Sequence, residues 1–595
     1  MSLLVNGHVE KLHKYQPFDA DSGDLVFEQQ STYDQPMFKV ETRVFLERLV
    51  KGSAIRLIVL TGDAGHGKTS LCAALLEDLG ASPAQAALSV EEYGLAGESP
   101  AGQTSAGRPI YIIRDLSEFK PEVGATHLNR LLQPQENGIA VVCANEGQLR
   151  SCVAADTTEE SRVIVETLSA GVSQGAVKSA DGTIAVINLN YQSVAPTGRP
   201  GLLDWALGQW AVDRRSWQIC KRCDAQSVCP IWANHEALSD KTAGPRRRDA
   251  LRDLFGAAEK TGAVITTRQA LSVVSYAVTG GIRCADVHKK YSRDQTSVEW
   301  QSAHLYNQAL FGDMLSPRQR EQVPVILALR RLDPGWVSRR EVDDYLDPDS
   351  AHTQFLPPQP GMEANPTRTL RQLREDAKLL RRLYAFLRRA DFFDAETGTR
   401  YPRLGISAGD QFMAVQGEIG DAEKTVIRDT LLKGLEAVQG VHRVGRNPDF
   451  LVLDPAFYAH RARASVVAQT VTNRDVQLMD QLSHWSTTAQ KSALEPELQS
   501  AVEWSNRAVF VRIPLRGQES TASVELNLLR FELLTRWAGG LRSGAQHEAE
   551  IRGLTNSLAA LSDGGDEGQD IQVLVGSIPR KLTIDVGNQI RSVRT

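Results

Sequence analysis

One short segment of the sequence, GDAGHGKTS, combines the residue types that bind a polyphosphate. Gly62, Gly67, Lys68 and Thr69 match the spacing GxxxxGK[ST]. Glycines let backbone N–H groups turn toward phosphate oxygens, the lysine reaches the β and γ phosphates, and the threonine hydroxyl binds Mg²⁺. The segment therefore predicts a site for ATP and Mg²⁺ with contacts from consecutive residues: Gly62, Asp63, Ala64, Gly65, His66, Gly67, Lys68, Thr69 and Ser70.

The residues on either side of this loop fit the same prediction. Leu57 to Leu60 is a short aliphatic run typical of a buried strand, and an amphipathic helix is predicted from Thr69 onward. A helix in this place presents its positive N-terminal end to the bound anion. The alternative is a glycine-rich turn that matches the motif by chance, and the predicted strand and helix favour the nucleotide site.

Two later strands end in polar side chains that suit the same ligand. The run from Ile110 to Ile113 is followed by Asp115, and the run from Ile139 to Cys143 is followed by Asn145. Because parallel strands meet a ligand at their carboxyl ends, we expect Asp115 to bind Mg²⁺ together with Thr69, and Asn145 to contact the terminal phosphate. The alternative is that Asp115 caps a turn and Asn145 caps a helix.

This order of loop, acidic strand and strand with a polar end resembles the AAA+ and STAND branch of P-loop ATPases. The resemblance implies an α/β fold with a parallel sheet and a helical lid, ATP hydrolysis, a Walker B role for Asp115 and a sensor 1 role for Asn145. Those enzymes usually place a catalytic glutamate directly after the aspartate, and this chain has Leu116 there. Either Glu118 or Glu146 orients the attacking water instead, or hydrolysis is slow.

The segment GAVITTRQALSVVSYAVTGG predicts a helix with well-defined ends. Thr266 and Gln269 form a capping box at its start, and two glycines follow its end. Arg268 lies in the first turn, where the helix dipole does not favour a cation. By the same resemblance, Arg268 is a sensor 2 arginine that reaches the γ-phosphate, and Arg150 is a candidate arginine finger for a neighbouring subunit. The competing interpretation of Arg268 is an exposed arginine paired with a nearby acid.

A second group of chemically active residues is a set of cysteines. Cys220, Cys223 and Cys229 lie close together in the sequence, and Cys284 follows the predicted lid helix. The CxxC spacing lets two sulfurs face one ion, so these residues are predicted to bind Zn²⁺. The CxxCxxxxxC spacing also resembles the cysteine loop of [4Fe-4S] DNA-processing enzymes, which implies an iron–sulfur cluster. His288 is an alternative ligand, and the competing interpretation is reduced thiols packed in a turn.

Bulk composition limits the class of protein. The chain of 595 residues is too long for one core, and it has 42% hydrophobic residues, 23% charged residues and a net charge of -5. This charge argues against a general attraction to nucleic acid but leaves room for a local basic surface. No apolar segment predicts a membrane span, so a cytoplasmic protein with reduced cysteines is expected. The other cysteines fit apolar core positions: Cys72, Cys143 and Cys152.

Three regions are predicted along the chain: a P-loop ATPase core over 1–195, a helical lid with the cysteines over 196–300, and a mainly helical region with a few strands over 301–595. The last region contains a Pro- and Gly-rich linker over 354–370. Between Arg368 and Arg403, basic residues outnumber acids, which predicts either a winged DNA-binding element with a hairpin at DAETGTRYP or, more commonly, a solvated helix face. Strands are predicted at AVFVRIPL and in a C-terminal hairpin of DIQVLVG and RKLTIDV.

Taken together, the phosphate loop, the ANEG strand end, the cysteine segment and the TTRQAL helix resemble the stand-alone ATPases of bacterial defence islands. The closest family is the ATPase component of DNA phosphorothioation modification and restriction systems. The resemblance implies an ATPase that acts with protein partners in a DNA-modifying or anti-phage complex, touching DNA directly or through those partners. Two alternatives remain: a signalling ATPase that forms homo-oligomers on sensing an invader, and a replication-initiator or loader-like AAA+ protein.

Overall fold

The computed structural model of the chain forms two units. It describes residues 3–17, 38–52, 54–93, 99–132, 138–155, 163–164, 166–167, 169, 175–347, 377–396, 398–417, 419–443, 447–455, 464–488, 500–504, 506–515, 521–541, 547–561, 570–576, 578–584 and 590–594. The first unit comprises Met1–Glu259, Ala263–Gly405 and Trp485–Ser505. The second unit comprises Lys260–Gly262, Ile406–His484 and Asn506–Thr595.

The first unit is built from one sheet and a series of helices. Its strands are β1 Leu57–Thr61, β2 Gly102–Gln103, β3 Pro109–Ile113, β4 Ile139–Ala144, β5 Ala176–Lys178 and β6 Ile184–Asn188. The helices up to the end of the sheet are α1 Gly7–His13, α2 Glu41–Lys51, α3 Lys68–Asp78, α4 Pro83–Tyr93, α5 Pro121–Leu132 and α6 Glu146–Ala154. Those that follow are α7 Leu202–Leu207, α8 Pro230–Ser239, α9 Ala243–Lys260, α10 Thr267–Thr279, α11 Cys284–Tyr291, α12 Val298–Ala303, α13 Tyr306–Ala309, α14 Pro317–Gln322, α15 Pro324–Arg331, α16 Arg340–Asp343 and α17 Ala377–Asp394.

The sheet has the strand order β2-β3-β4-β1-β6-β5. Its four central strands are parallel, and β2 and β5 run antiparallel at the two edges. Thr61, the last residue of β1, is in register with Ala144 of β4 on one side and Asn188 of β6 on the other. These strands therefore end level with one another, and the segments that follow them share one edge of the sheet.

Both faces of the sheet are covered by helices. On β1, Ile58 and Leu60 belong to an apolar cluster with side chains of α2 and α3, whereas Leu57 and Val59 belong to a second cluster with side chains of α5 and α6. Burial on both faces is expected of parallel strands, and it explains why the strand reads as an unbroken aliphatic run. The α/β class is thereby shown, with a mostly parallel sheet between helices.

The predicted helix after residue 265 forms as α10. Thr266 accepts a hydrogen bond from the Gln269 amide, and the Gln269 side chain accepts one from the Thr266 amide, which completes the capping box. Gly280 ends the helix with φ 65°, a left-handed conformation that favours glycine. From Ala270 to Thr279 every residue of α10 is buried, so this helix is a central element of the first unit.

The segment between Arg368 and Arg403, here called the arginine-rich segment, does not form the predicted winged element. Among its described residues after Asp394 there is no strand, and Tyr401–Leu404 forms a 3₁₀ helix instead of a hairpin. Four arginines are ion-paired: Arg388 with Asp343, Arg389 with Asp333, Arg400 with Asp253, and Arg403 with Asp391. Arg381 and Arg382 on α17 are exposed. The predicted linker over 354–370 and Arg368 lie outside the described residues.

The second unit combines helices with two antiparallel sheets. Its strands are β7 Asp449–Leu453, β8 Ala464–Thr472, β9 Gln477–Asp480, β10 Ala508–Pro514, β11 Thr521–Asn527, β12 Asp570–Val575, β13 Ile578–Ile584 and β14 Ile590–Arg594. They form the sheets β11-β10-β9 and β14-β13-β12-β8-β7. The remaining helices are α18 Gly409–Val415, α19 Asp421–Val438, α20 Gln481–Thr488, α21 Leu528–Ala538 and α22 Glu548–Ala559.

The strand predicted at AVFVRIPL and the C-terminal hairpin are confirmed as β10 and as β12 with β13. The strands β7, β8, β9, β11 and β14 were not predicted, and they make the C-terminal region richer in sheet than its sequence pattern indicated. None of the helices in the described part of the chain combines the length and apolar composition that a bilayer crossing requires.

Candidate functional site

The loop between β1 and α3 depends on glycine conformations. Gly62, Gly65 and Gly67 have φ values of 129°, 95° and 79°, which side-chain-bearing residues rarely adopt. Gly67 directly precedes the first residue of α3, Lys68. A helix N-terminus carries unpaired amide groups and a partial positive charge, so this turn places a short backbone arch at the positive end of α3.

Lys68 folds back over the loop that precedes it. Its ammonium donates to the carbonyl oxygens of Gly62 at 2.7 Å and Asp63 at 3.1 Å, and to Oδ1 of Asn145 at 3.4 Å. All three acceptors are neutral oxygens. Burial lowers the pKa of Lys68, while Cys143, Asp115 and Asp63 act in the opposite direction. An anion bound over the loop would remove part of this cost of burying the charge.

Asp115 lies just beyond the end of β3, at the same edge of the sheet. Its Oδ1 accepts hydrogen bonds from the Ser117 amide at 2.9 Å and the Ser117 hydroxyl at 2.6 Å, so it caps the short 3₁₀ helix Leu116–Glu118. The turn-cap alternative is thus observed. It does not exclude a metal role, because a carboxylate has several acceptor positions. Leu116, in the place of the expected glutamate, is fully buried.

Asn145 directly precedes α6, but its side chain makes no capping hydrogen bond. The helix-cap alternative is therefore wrong for this side chain, whose Oδ1 receives the long bond from Lys68. The structure places Asn145 beside Lys68, and the Asp115 carboxylate acts to raise the pKa of Lys68. Thr69 lies in the first turn of α3, so Thr69 and Asp115 each carry a side-chain oxygen of the kind that Mg²⁺ prefers.

The two glutamates considered as water-orienting residues are engaged in ion pairs. Glu118 lies 3.3 Å from Nη2 of Arg114, and Glu146 lies 2.9 Å from Nε of Arg150. Arg150 thus pairs within its own helix. These pairs are exposed or partly exposed and contribute little to stability, so they restrain the glutamates only weakly.

The start of α10 contacts the phosphate loop. The Arg268 amide donates to the Gly65 carbonyl at 3.0 Å, and a Cβ placed on Gly65 would lie 3.1 Å from both Arg268 Cβ and Thr266 Oγ1. The Arg268 side chain is exposed. The structure thereby joins Arg268 to the loop through its backbone, while the predicted contact of its side chain with the γ-phosphate stays a prediction.

Asn190 is a residue of this site that the sequence reasoning missed. It follows β6, and its Oδ1 accepts from the Asp63 amide at 2.8 Å while its Nδ2 donates to Asp63 Oδ1 at 3.4 Å. The aliphatic run TIAVINLNY at residues 183–191 was the available signal, because a parallel strand beside β1 must end at the same edge. Asn190 therefore holds the first turn of the loop in place.

The remaining predicted loop residues occupy the same arch. Asp63 and Ala64 are exposed at its tip, His66 is buried, and Ser70 is half-buried in α3. Beneath it, the sulfurs of Cys72 and Cys143 lie 3.4 Å apart in the core, which agrees with their assignment as apolar core residues.

The cysteines predicted to bind metal lie far from the loop in the sequence. Contacts with Asn6 and His288 place three of them in one region of the first unit. Asn6 donates to the sulfurs of Cys220 and Cys284, and Cys223 contacts His288. Within the described ranges, however, no three His, Cys, Asp or Glu side chains are arranged to hold a metal ion.

Comparisons with known proteins add no family assignment. No family model matches the chain, and no match was found among curated proteins or among solved structures. The function must therefore be argued from the geometry of the site itself.

Proposed function

We propose that the first unit is a P-loop, AAA+-like ATPase core that binds ATP with Mg²⁺ and hydrolyses it to ADP and phosphate. The observation that carries this proposal is the position of Lys68. The half-buried Lys68 ammonium donates its hydrogen bonds to neutral oxygens at the edge where Asp115 and Asn145 also lie. A half-buried cation without a neutralising carboxylate among its hydrogen-bond acceptors is suited to an anionic ligand.

Different residues of this site would bind the phosphates, bind Mg²⁺ and orient the reacting groups. The loop amides and Lys68 would hold the β and γ phosphates, while Thr69 and Asp115 would hold Mg²⁺. Asn145 would orient the terminal phosphate or the attacking water. A water oxygen forms a bond to the γ phosphorus as the bond to the β–γ bridging oxygen breaks, and the water proton passes to solvent or to phosphate.

Turnover by the isolated chain is expected to be slow. The acid that usually follows the Walker B aspartate is replaced by buried Leu116, which cannot act as a general base. A general base typically contributes a factor of about 10² to 10⁴ to a rate. We therefore propose an ATP switch or timer, whose hydrolysis rises when a partner supplies the missing group.

The broader role that we propose is an ATPase component of a DNA-modification or anti-phage defence complex, acting through protein partners. Its support is the resemblance of the motifs. The ion pairs of the arginine-rich segment favour DNA contact through partners over direct contact, and they weigh against a loader-like protein that grips duplex DNA. A signalling ATPase that oligomerises without touching DNA is the second candidate, favoured by the same ion pairs.

Phosphate release from radiolabelled ATP tests the assignment. Lys68→Ala should lower the rate by at least about 100-fold, because it removes the charge opposite the transferred phosphoryl group. Lys51→Ala is the matched control, since Lys51 is exposed on α2 and pairs with Glu47. Equal rates for wild type and Lys68→Ala would reject the proposal. The same assay with duplex DNA added, alone and with candidate partner proteins, distinguishes the two broader roles. Stimulation by DNA with partners favours the DNA-modification ATPase, and no response to DNA favours the signalling ATPase.

A further inference from the structure

Four cysteines converge from three segments of the first unit: Cys220, Cys223, Cys229 and Cys284, here called the cysteine quartet. Cys220 and Cys223 lie at the end of the 3₁₀ helix Arg214–Arg222, Cys229 directly precedes α8, and Cys284 is the first residue of α11. Cys220 and Cys284 are 64 residues apart in the chain, yet both lie within hydrogen-bond distance of Asn6.

Asn6 directs two N–H groups at the quartet. Its backbone amide donates to Sγ of Cys284 at 3.5 Å, and its side-chain Nδ2 donates to Sγ of Cys220 at 3.3 Å. Asn6 is only 2% exposed, and its Oδ1 accepts from the His8 amide and so caps α1. A neutral thiol is a weak acceptor, whereas N–H groups aimed at sulfur are typical of the shell around metal-bound thiolates.

The quartet has a further soft donor beside it. Nε2 of His288 lies 3.6 Å from Sγ of Cys223. Four sulfurs and one imidazole form a donor set that selects Zn²⁺ or iron–sulfur chemistry over Mg²⁺ or Ca²⁺. All four cysteines are free of disulfides, so every thiol is available as a ligand.

We infer that the cysteine quartet binds a thiolate-ligated metal centre, Zn²⁺ or an iron–sulfur cluster, with Asn6 positioning two of the sulfurs. In the described part of the chain, no three His, Cys, Asp or Glu side chains are arranged to hold a metal ion. Metal binding therefore requires the cysteine side chains to rearrange. Metal binding to such a gathered set contributes its free energy to folding.

The metal centre would stabilise the packing of α1 against α10, the helix that contacts the phosphate loop. Ser275 of α10 donates to the Leu12 carbonyl at 2.6 Å, and His13 contacts the Ile282 carbonyl at 2.8 Å. Asn6, which caps α1, contacts the cysteine quartet. At the N-terminal end of α10, the Arg268 amide contacts Gly65 of the loop. The role is structural, and it does not depend on nucleotide binding.

Metal content of the full-length chain, purified anaerobically with a reductant, tests the inference. Elemental analysis should find about one zinc per chain, or about four irons with acid-labile sulfide, and these two outcomes distinguish the sources. Cys223→Ser should lose most of the metal. Cys152→Ala is the control, because Cys152 is a buried core cysteine outside the quartet.

A second variant guards against a folding failure of Cys223→Ser. Asn6→Asp keeps the helix cap but replaces the amide donor with a negative charge beside Cys220, so Zn²⁺ affinity should fall by about 10- to 100-fold. The inference is overturned if wild type carries neither metal and takes up none from added Zn²⁺ or from Fe²⁺ with sulfide. It is equally overturned if Asn6→Asp and Cys223→Ser retain wild-type metal content, or if intact mass shows the quartet as disulfides.

Discussion

Lys68 and Arg389 are both cations held within the first unit, but their surroundings differ. Arg389 is paired with Asp333 at 2.5 Å and Asp313 at 2.7 Å, and its guanidinium lies 4.6 Å from the centre of the Phe311 ring. The hydrogen bonds of Lys68 go to neutral oxygens at a sheet edge. A cation paired directly with carboxylates serves the fold, whereas one that donates to neutral oxygens suits the anionic ligand that we propose for Lys68.

The same difference separates the two regions in which a ligand was expected. In the loop between β1 and α3, Lys68 donates to neutral oxygens, whereas the arginine-rich segment uses Arg388, Arg400 and Arg403 in ion pairs with aspartates. Counting basic residues along a sequence does not distinguish these cases. The partners of Arg388 and Arg400 come from other helices, whereas Asp391, the partner of Arg403, lies on α17 in the same segment. Only the folded chain shows these pairs.

The largest effect is expected from breaking the buried ion pair. Arg389→Met leaves the fully buried Asp333 carboxylate without its main partner, which should lower the free energy of unfolding by about 3–5 kcal/mol. Arg381→Met, the same change at an exposed position of α17, should alter it by no more than about 0.5 kcal/mol. Urea unfolding measures both. Similar values for the two variants would contradict the structural role of Arg389.

A smaller effect is expected where α10 contacts the loop between β1 and α3. Gly65→Ala meets Arg268 Cβ and Thr266 Oγ1 at 3.1 Å, so it should weaken ATP binding by about tenfold through about 1–3 kcal/mol of strain. Gly80→Ala is the matched control, because Gly80 also has a positive φ, 106°, but has no atom within 4 Å of its Cβ position. Equal affinities in titrations of the two variants would show that the contact with α10 is unimportant.

The smallest effect is expected on the exposed face of α17. Charge reversal at Arg381 and Arg382 should change duplex DNA affinity by less than about twofold, because the neighbouring arginines are already ion-paired. Fluorescence anisotropy at two salt concentrations measures this. A larger loss with a flattened salt dependence would restore the DNA-binding interpretation of this face.

The parts of the site that could be predicted are those encoded locally. The glycines of the loop, Lys68, and the acid and amide after two aliphatic strands follow from spacing and from the geometry of parallel strands. Asn190 could not be assigned in this way, because its role depends on a hydrogen bond to Asp63, 127 residues away in the chain. Asn6 was missed for the same reason.

The fold was predictable to a similar extent. The largely aliphatic strands β1, β3 and β4 and the capped helix α10 carry strong local signals, and they were confirmed. The strand β9 is only four residues long and buries a single leucine, Leu478, so its pattern indicates little until it pairs with β10. The ion pairs of Arg389 and Arg400 likewise depend on aspartates supplied by other elements.

The most direct test of the central claim is a calorimetric titration of the folded chain with ATP and Mg²⁺. We predict saturable heat with about one nucleotide per chain, lost in Lys68→Ala and retained in Lys51→Ala. A wild-type chain with native circular dichroism that gives no heat, or one that binds equally well after Lys68→Ala, would contradict the account.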